Sequence, residues 1–254
     1  MNEAVTSIEA KVNGENISFT SPPGRRLSEV LREELYLPGT KVGCNAGDCG
    51  ACTVIIDDKP VCACLIPIAQ TEGCNITTIE GITDGNSLNA LQISFLRHGA
   101  AQCGICTPGM LMAATALLAS NPSPSRNQTI AALSGVLCRC TGYRKIVDAV
   151  RDVRGTPKLQ PAPPAGNAVG QRIERLDGRS KVLGSEAFGA DFAPEGALSI
   201  RAVRSPYPRA HFRFGNLEAW AKKHPGVKTI CTAADIQGSN RFGVIPSFAD
   251  QPAL

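Results

Sequence analysis

Eight of the eleven cysteines in this 254-residue chain fall into two tight groups, and no other feature limits its fold so strongly. Cys44, Cys49, Cys52 and Cys64 form the first group, and Cys103, Cys106, Cys138 and Cys140 the second. Cys62, Cys74 and Cys231 stand outside them. An odd total argues against a closed disulfide framework. The N-terminus, MNEAVTSIEA, lacks the basic and apolar regions of a signal peptide. The reading is therefore a cytoplasmic chain, in which a reducing compartment leaves clustered thiols free to bind metal. Export of a prefolded complex guided by a partner chain would leave no trace here.

The first group is spaced C-x4-C-x2-C with a fourth cysteine eleven residues on, the plant-type spacing for one 2Fe-2S cluster. Gly43, Gly47 and Gly50 free the backbone to wrap a cluster and to aim N–H groups at its sulfurs. Zinc knuckles also use thiolates, but they pair two C-x2-C units, which this run lacks. Cys62 precedes Cys64 by two residues and is read as a small buried hydrophobe near the same face. The second group combines C-x2-C before a helix starting near Pro108 with C-x-C after a later helix. Tetrahedral thiolate coordination suits zinc and iron-sulfur alike, so this pattern alone leaves both open. A second redox centre in series with the first tips the reading toward iron-sulfur.

The rest of the composition excludes several function classes. With 43 % apolar and 19 % charged residues the chain has material for two ordinary domains with real cores. A formal charge of +4, scattered rather than gathered, carries no nucleic-acid signal. The longest apolar stretches, such as 110–119, fall short of the roughly 20 residues a bilayer span needs. His98, His211 and His224 have no ligand-like spacing and are read as surface or turn residues.

Along the chain, alternation around Asn13-Gly14 predicts a hairpin over residues 8–20. Ser28 is expected to cap a short helix through Leu35. TVIID and the segment around Val61 read as strands joined by Asp57-Asp58-Lys59, and NITTIEGI as another. The period then changes to 3.6. Helices are predicted from an N-cap at Ser87 to a stop at Gly99, over 108–120, over 126–137 and over 144–153, forming a compact antiparallel bundle. Residues 155–168, with four prolines, read as an extended linker. LSIRAVRSPYP and VKTICTAADI read as strand-to-turn and strand-to-helix units beyond it.

The segments GCNAGDCGACTV, CLIP, QCGICTPGM and CRCTGY, in this order, resemble the iron-sulfur region of the xanthine oxidase family of molybdenum hydroxylases. The resemblance implies an α+β chain: a ferredoxin-like β-grasp domain over 1–82, then a four-helix-bundle 2Fe-2S domain over 83–154. It implies a solvent-nearer cluster on Cys44, Cys49, Cys52 and Cys64, and a buried one on Cys103, Cys106, Cys138 and Cys140. It further implies that Gln102 and Cys140 approach the pterin of a molybdenum cofactor; without it, Gln102 reads as an amide capping a helix end. VGQRIERLDGRSKVLGSEAFGADF, RSPYPRAHF and PGVKTICTAADI look like the start of the large molybdenum subunit, so 169–254 would be part of an α/β hammerhead domain. Arg204, Ser205, Pro206 and Tyr207 match too, but a strand followed by a proline turn explains them. The direct join through a proline-rich linker resembles flavin-free aldehyde oxidoreductases, with no flavin site expected on this chain.

The function so implied is electron transfer from the molybdenum cofactor through two 2Fe-2S clusters to a separate flavoprotein, cytochrome or quinone-linked acceptor. The oxidised substrate would be an aldehyde or N-heterocycle, and a molybdenum-binding chain would complete the hammerhead domain. The rivals are a freestanding 2Fe-2S carrier, the front fragment of a single-chain aldehyde oxidoreductase, and a zinc-stabilised interaction module.

Overall fold

A computed structural model describes residues 5–83, 87–155, 161–171, 173–208 and 210–243, with Ile245, Ser247 and Pro252. It divides the chain into two compact units, residues 1–195 and 196–254.

The first unit opens with β1 (Thr6–Val12) and β2 (Glu15–Ser21), joined by Asn13 and Gly14, both at positive φ. That is the primed turn whose twist matches the flanking strands. β3 (Thr53–Ile56) and β4 (Lys59–Cys62) repeat the device with Asp57 and Asp58, so Lys59 belongs to the strand rather than the turn. β5 (Asn75–Thr77) completes a five-stranded mixed sheet in the order β2-β1-β5-β3-β4. It is shorter than expected because Ile79–Ile82 winds into a 3-10 turn. The sheet packs Ile8, Val12, Val54 and Ile76 against Leu27, Val30 and Leu31 of α1 (Leu27–Glu29) and the π turn that continues it (Val30–Glu34). Ser28 does not cap this helix. Arg26 takes the cap position because Leu27 N–H is tied to Ile66 C=O at 2.8 Å, which leaves Ser28 buried in the first turn.

Helices follow: α2 (Ala90–His98), α3 (Thr107–Ser120), α4 (Arg126–Leu133) and α5 (Arg144–Arg151). The N-cap of α2 is Asn89, not Ser87: Asn89 and Gln92 satisfy each other's backbone N–H in a capping box. Gly99 ends α2 in the left-handed region, as expected. Ser125 and Gln128 form the same box on α4, which stops four residues early because residues 134–136 turn away toward the cysteine loops. One core, built on Phe95, Met110, Leu111, Met112, Leu133, Ile146 and Val150, unites these helices.

The first unit does not end at the proline-rich stretch. α6 (Gly178–Leu183) packs on α2 and α3, with Val182 fully buried and its carbonyl taken by the Gln92 amide at 2.9 Å. Asp191 then pairs with Arg32, and Lys41 reaches Glu186 C=O at 2.7 Å. The stretch expected to open the hammerhead segment thus folds, up to Glu195, onto the cysteine-bearing region.

The second unit contains α7 (Leu217–Lys222), capped by Asn216, and a 3-10 turn at Ala233–Asp235. Ser205 and Tyr207 form a hydrogen-bonded turn, and His224 stacks on Trp220. The strands expected in LSIRAVRSPYP and VKTICTAADI are absent from its described residues. A strand needs a hydrogen-bonded neighbour, and here Ile200 and Val203 are 99 % and 98 % exposed.

Candidate metal centres

The loop between α1 and β3 brings Cys44, Cys49 and Cys52 together, and a 3-10 turn after β4 delivers Cys64. The N–H groups of Ala46 and Cys49 each point at Cys44 Sγ from 3.4 Å. Cys44 is exposed, and hydrogen bonds from Cys49 and Ala46 still bring its thiol down to about 7. The loop therefore favours a thiolate before anything binds it. The inner thiols behave oppositely. Cys52 touches Cys64, both are buried, and desolvation pushes Cys52 up to about 12.

The second group is built from helix ends. Cys106 is the residue before α3 and touches Cys138 from the turn after α4; both are buried. Cys103 and Cys140 meet at the exposed side. Desolvation alone would raise the Cys138 thiol, but hydrogen bonds from the hydroxyl of Thr141, 3.0 Å from its sulfur, from the Thr141 and Cys140 N–H groups and from Cys106 together outweigh it and bring it down. Tyr143 Oη accepts the Cys138 N–H at 2.9 Å.

Each group is thus two pairs of thiols, one buried and one facing outward. Among the described residues no three His, Cys, Asp or Glu side chains close on one point as they would around a single ion. Pairs suit a 2Fe-2S cluster, which takes two protein sulfurs on each iron, better than zinc, which takes four on one. The donor set fits the group.

The two loops are in direct backbone contact. Leu137 N–H donates to Cys49 C=O at 2.9 Å, so a single hydrogen bond links the residue before Cys138 to a residue of the first group. A β-carbon on Gly50 would lie 2.1 Å from Gly135 O, and Gly50 sits at φ +66°. Only glycine lets these loops approach so closely.

Sequence reasoning missed the cations. The stem of the buried Lys181 crosses Gly104, between Cys103 and Cys106, where a β-carbon would stand 2.7 Å from Lys181 Cγ. Its ammonium pairs with Asp177, which also takes Arg175 in two bonds of 2.9 Å. Those contacts hold the Asp177 carboxyl well below the usual range, and Arg175 feels the Cys103 sulfur. Lys41, 2 % exposed and three residues before Cys44, faces Asp191 at 3.7 Å and the Phe188 ring at 5.2 Å. No spacing in the sequence ties these cations to the cysteines; Thr141 and Tyr143 lie inside CRCTGY, where attention goes to the thiols.

Gln102 is half-buried, and its amide makes no hydrogen bond among the described residues, so it caps no helix end. His98 pairs with Asp152 at 2.9 Å, far from a ligand role, and His211 is exposed. Cys74 turns its thiol to Gln70 C=O, and Cys231 is exposed in the second unit.

Two family models match the regions that carry these two thiol groups. The 2Fe-2S iron-sulfur cluster binding domain matches residues 10–72, and the [2Fe-2S] binding domain matches residues 78–151. The xanthine dehydrogenase iron-sulfur-binding subunit of Escherichia coli O157:H7 is 44 % identical over 159 residues, 61 % of this chain and 99 % of that subunit. This chain belongs to the xanthine oxidase family of molybdenum hydroxylases. The family likeness runs past the proline-rich stretch: aldehyde oxidoreductase of Megalodesulfovibrio gigas is 37 % identical over 236 residues, 87 % of this chain. This family member spans only 26 % of that relative's length. The crystal structure of the aldehyde oxidoreductase from Desulfovibrio desulfuricans ATCC 27774 covers 98 % of the chain, and 30 % of itself, at TM-score 0.76 and 35 % identity. The first unit's mixed sheet and helix accord with a ferredoxin-like fold. No helix among the described residues is long and apolar enough to cross a membrane.

Proposed function

We propose that this chain is the electron-transfer part of a molybdenum hydroxylase that oxidises an aldehyde or N-heterocycle with oxygen from water. Cys44, Cys49, Cys52 and Cys64 are read as the ligands of one 2Fe-2S cluster. Cys103, Cys106, Cys138 and Cys140, on a four-helix bundle spanning 83–154, are read as the ligands of the other. When bound, such clusters supply one-electron steps between the two-electron molybdenum chemistry and the acceptor. The single observation that carries this reading is the Leu137 N–H bond to Cys49 C=O, a direct backbone link between the two thiol-bearing loops.

The chain's own residues do three things in this reading. The N–H groups of Ala46 and Cys49 aim at Cys44 Sγ and favour its thiolate form. Cys52, Cys64, Cys106 and Cys138 exclude water from the inner half of each site. Arg175, held in place by Asp177, sets positive charge within electrostatic range of Cys103, which stabilises added electrons there. Gln102, with an unclaimed amide, and Cys140, exposed, are read as the residues that meet the pterin of a molybdenum cofactor on a partner chain. The exposed Leu198, Ile200 and Val203 support a reading of 169–254 as part of a hammerhead domain completed by that partner. The acceptor is read as a separate flavoprotein, cytochrome or quinone-linked protein, and the location as cytoplasmic.

A second reading, the front part of a single-chain aldehyde oxidoreductase, is favoured by the likeness over 87 % of this chain to one stretch of such an enzyme. Iron and acid-labile sulfide analysis with paramagnetic resonance of the dithionite-reduced protein tests the common core. Two distinct 2Fe-2S signals are expected; a colourless protein containing zinc overturns it. Identifying the chains that copurify decides between the two readings.

A further inference from the structure

A fifth sulfur, that of Cys62, lies beside the first thiol group. Cys62 ends β4 and stands opposite Thr53 in the β3–β4 register. One step further, Ala63 N–H donates to Cys52 C=O at 3.2 Å. The cross-strand neighbour of Cys52 is therefore Ala63, and Cys62 and Cys64 flank it on either side. Cys62 is half-buried, with its sulfur 3.9 Å from Gly47 C=O, inside the loop that links Cys44 to Cys49. Its thiol also meets the Cys52 thiol and lies within electrostatic range of Cys64, Cys49 and Cys44. Beyond the small hydrophobe expected there, Cys62 brings a thiol that meets Cys52 and lies in the field of the other three members of the group. Cys74, by contrast, points at Gln70 and Glu72 carbonyls outside it.

We propose that Cys62 is a reserve ligand of the first centre, able to hold the Cys52-side iron in place of Cys64. The proposal rests on the 2Fe-2S reading above. Cys52 is the sulfur that both candidates touch, so an exchange between them leaves Cys44, Cys49 and Cys52 where they are. In the exchange a bond forms between iron and Cys62 sulfur, and the bond to Cys64 sulfur breaks. The Cys62 thiol proton ends on Cys64, no oxidation state changes, and no further reactant is needed. At rest the Cys62 S–H is parked against Gly47 C=O. A centre with a spare sulfur at the same iron survives loss or oxidation of one ligand, where a four-cysteine site would shed its iron.

The test uses the full chain with its native partners and four variants: Cys44→Ala, Cys64→Ala, Cys62→Ala and Cys62→Ala/Cys64→Ala. Iron and sulfide are measured per chain, and resonance spectra are recorded after reduction; the second centre's signal reports folding in each. Cys64→Ala is expected to keep its full iron with one of the two signals shifted. Cys62→Ala keeps full iron with both signals in place, and the double variant and Cys44→Ala lose one cluster's iron. Equal losses in Cys64→Ala, Cys44→Ala and the double variant overturn the proposal while leaving the 2Fe-2S reading intact. If Cys64→Ala does not fold, Cys64→Ser is compared with Cys62→Ala/Cys64→Ser, and equal iron in those two overturns it. Full retention of both clusters in Cys44→Ala defeats the underlying ligand assignment instead.

Discussion

The two thiol groups reach the same arrangement, an inner buried pair and an outer pair, by opposite means. The first is held by a loop whose backbone is locked from behind: Gly50 abuts Gly135, and Thr53 takes Gly50 C=O through both its N–H and its hydroxyl, at 3.1 and 2.6 Å. The second is held by side chains. Tyr143 and Thr141 fix Cys138, and the Lys181 stem fills the space over Gly104. Backbone contacts tolerate no added atom, whereas a lysine stem can swing aside. The first group should therefore be brittle toward substitution in its loop and the second forgiving there but sensitive to its supporting side chains.

The largest effects come from the thiols. Cys49→Ser and Cys138→Ser should each abolish one reduced-state signal and leave the other; iron content unchanged in either removes the basis of the comparison. Next is Gly50→Ala, where the clash with a carbonyl and a positive φ combine to cost about 3 kcal/mol or more. Its melting temperature should fall below that of Gly104→Ala, where φ is also positive at +97° but the atom in the way is a lysine stem that can move, so that about 2 kcal/mol is expected. Equal losses would erase the distinction between backbone and side-chain support. Tyr143→Phe leaves the Cys138 N–H without its acceptor and should cost about 1–3 kcal/mol in denaturant unfolding, with the second centre's signal broadened and the first unchanged.

The smallest effect concerns pH. Burial alone would raise the Asp191 carboxyl, but Phe188 N–H, Arg32 and Lys41 outweigh that and hold it below its ordinary value. A depressed carboxylate contributes stability above its unfolded value, about 3.9, and that contribution disappears as pH falls through the lower folded value. Asp191→Asn should thus be less stable than the parent at neutral pH and lose less on acidification below about pH 4. Parallel melting curves down to about pH 3 would refute this.

Much of the molecule is legible in the sequence where local chemistry decides. Asn13-Gly14 and Asp57-Asp58 announce their turns, Gly99 its helix stop, and the thiol spacings their two groups. The reading slips where tertiary contact takes over a local choice. Ser28 yields its capping role to Arg26 because a distant carbonyl of Ile66 fixes Leu27 N–H. β5 shortens where Ile79 joins the helical core. Alternation in LSIRAVRSP promises a strand, but alternation cannot supply the neighbour to pair with. Lys41 was invisible for a related reason: its carboxylate partner lies 150 residues away, and the i,i+4 spacing of Asp177 and Lys181 gives no hint that the lysine stem crosses Gly104.

The stretch from Asp177 to Asp191 closes over both thiol loops while belonging to the same polypeptide. A tether of about twenty residues, from Gly155 to Asp177, holds a docked segment at millimolar effective concentration, so this clasp stays engaged on dilution that would strip a separate subunit. It also sets an order of events during synthesis, since Lys41 is without its carboxylate and carbonyl partners until Asp191 has left the ribosome. The setting of Lys41, three residues before Cys44, is thereby tied to completion of a part of the chain that contributes no thiol to either group.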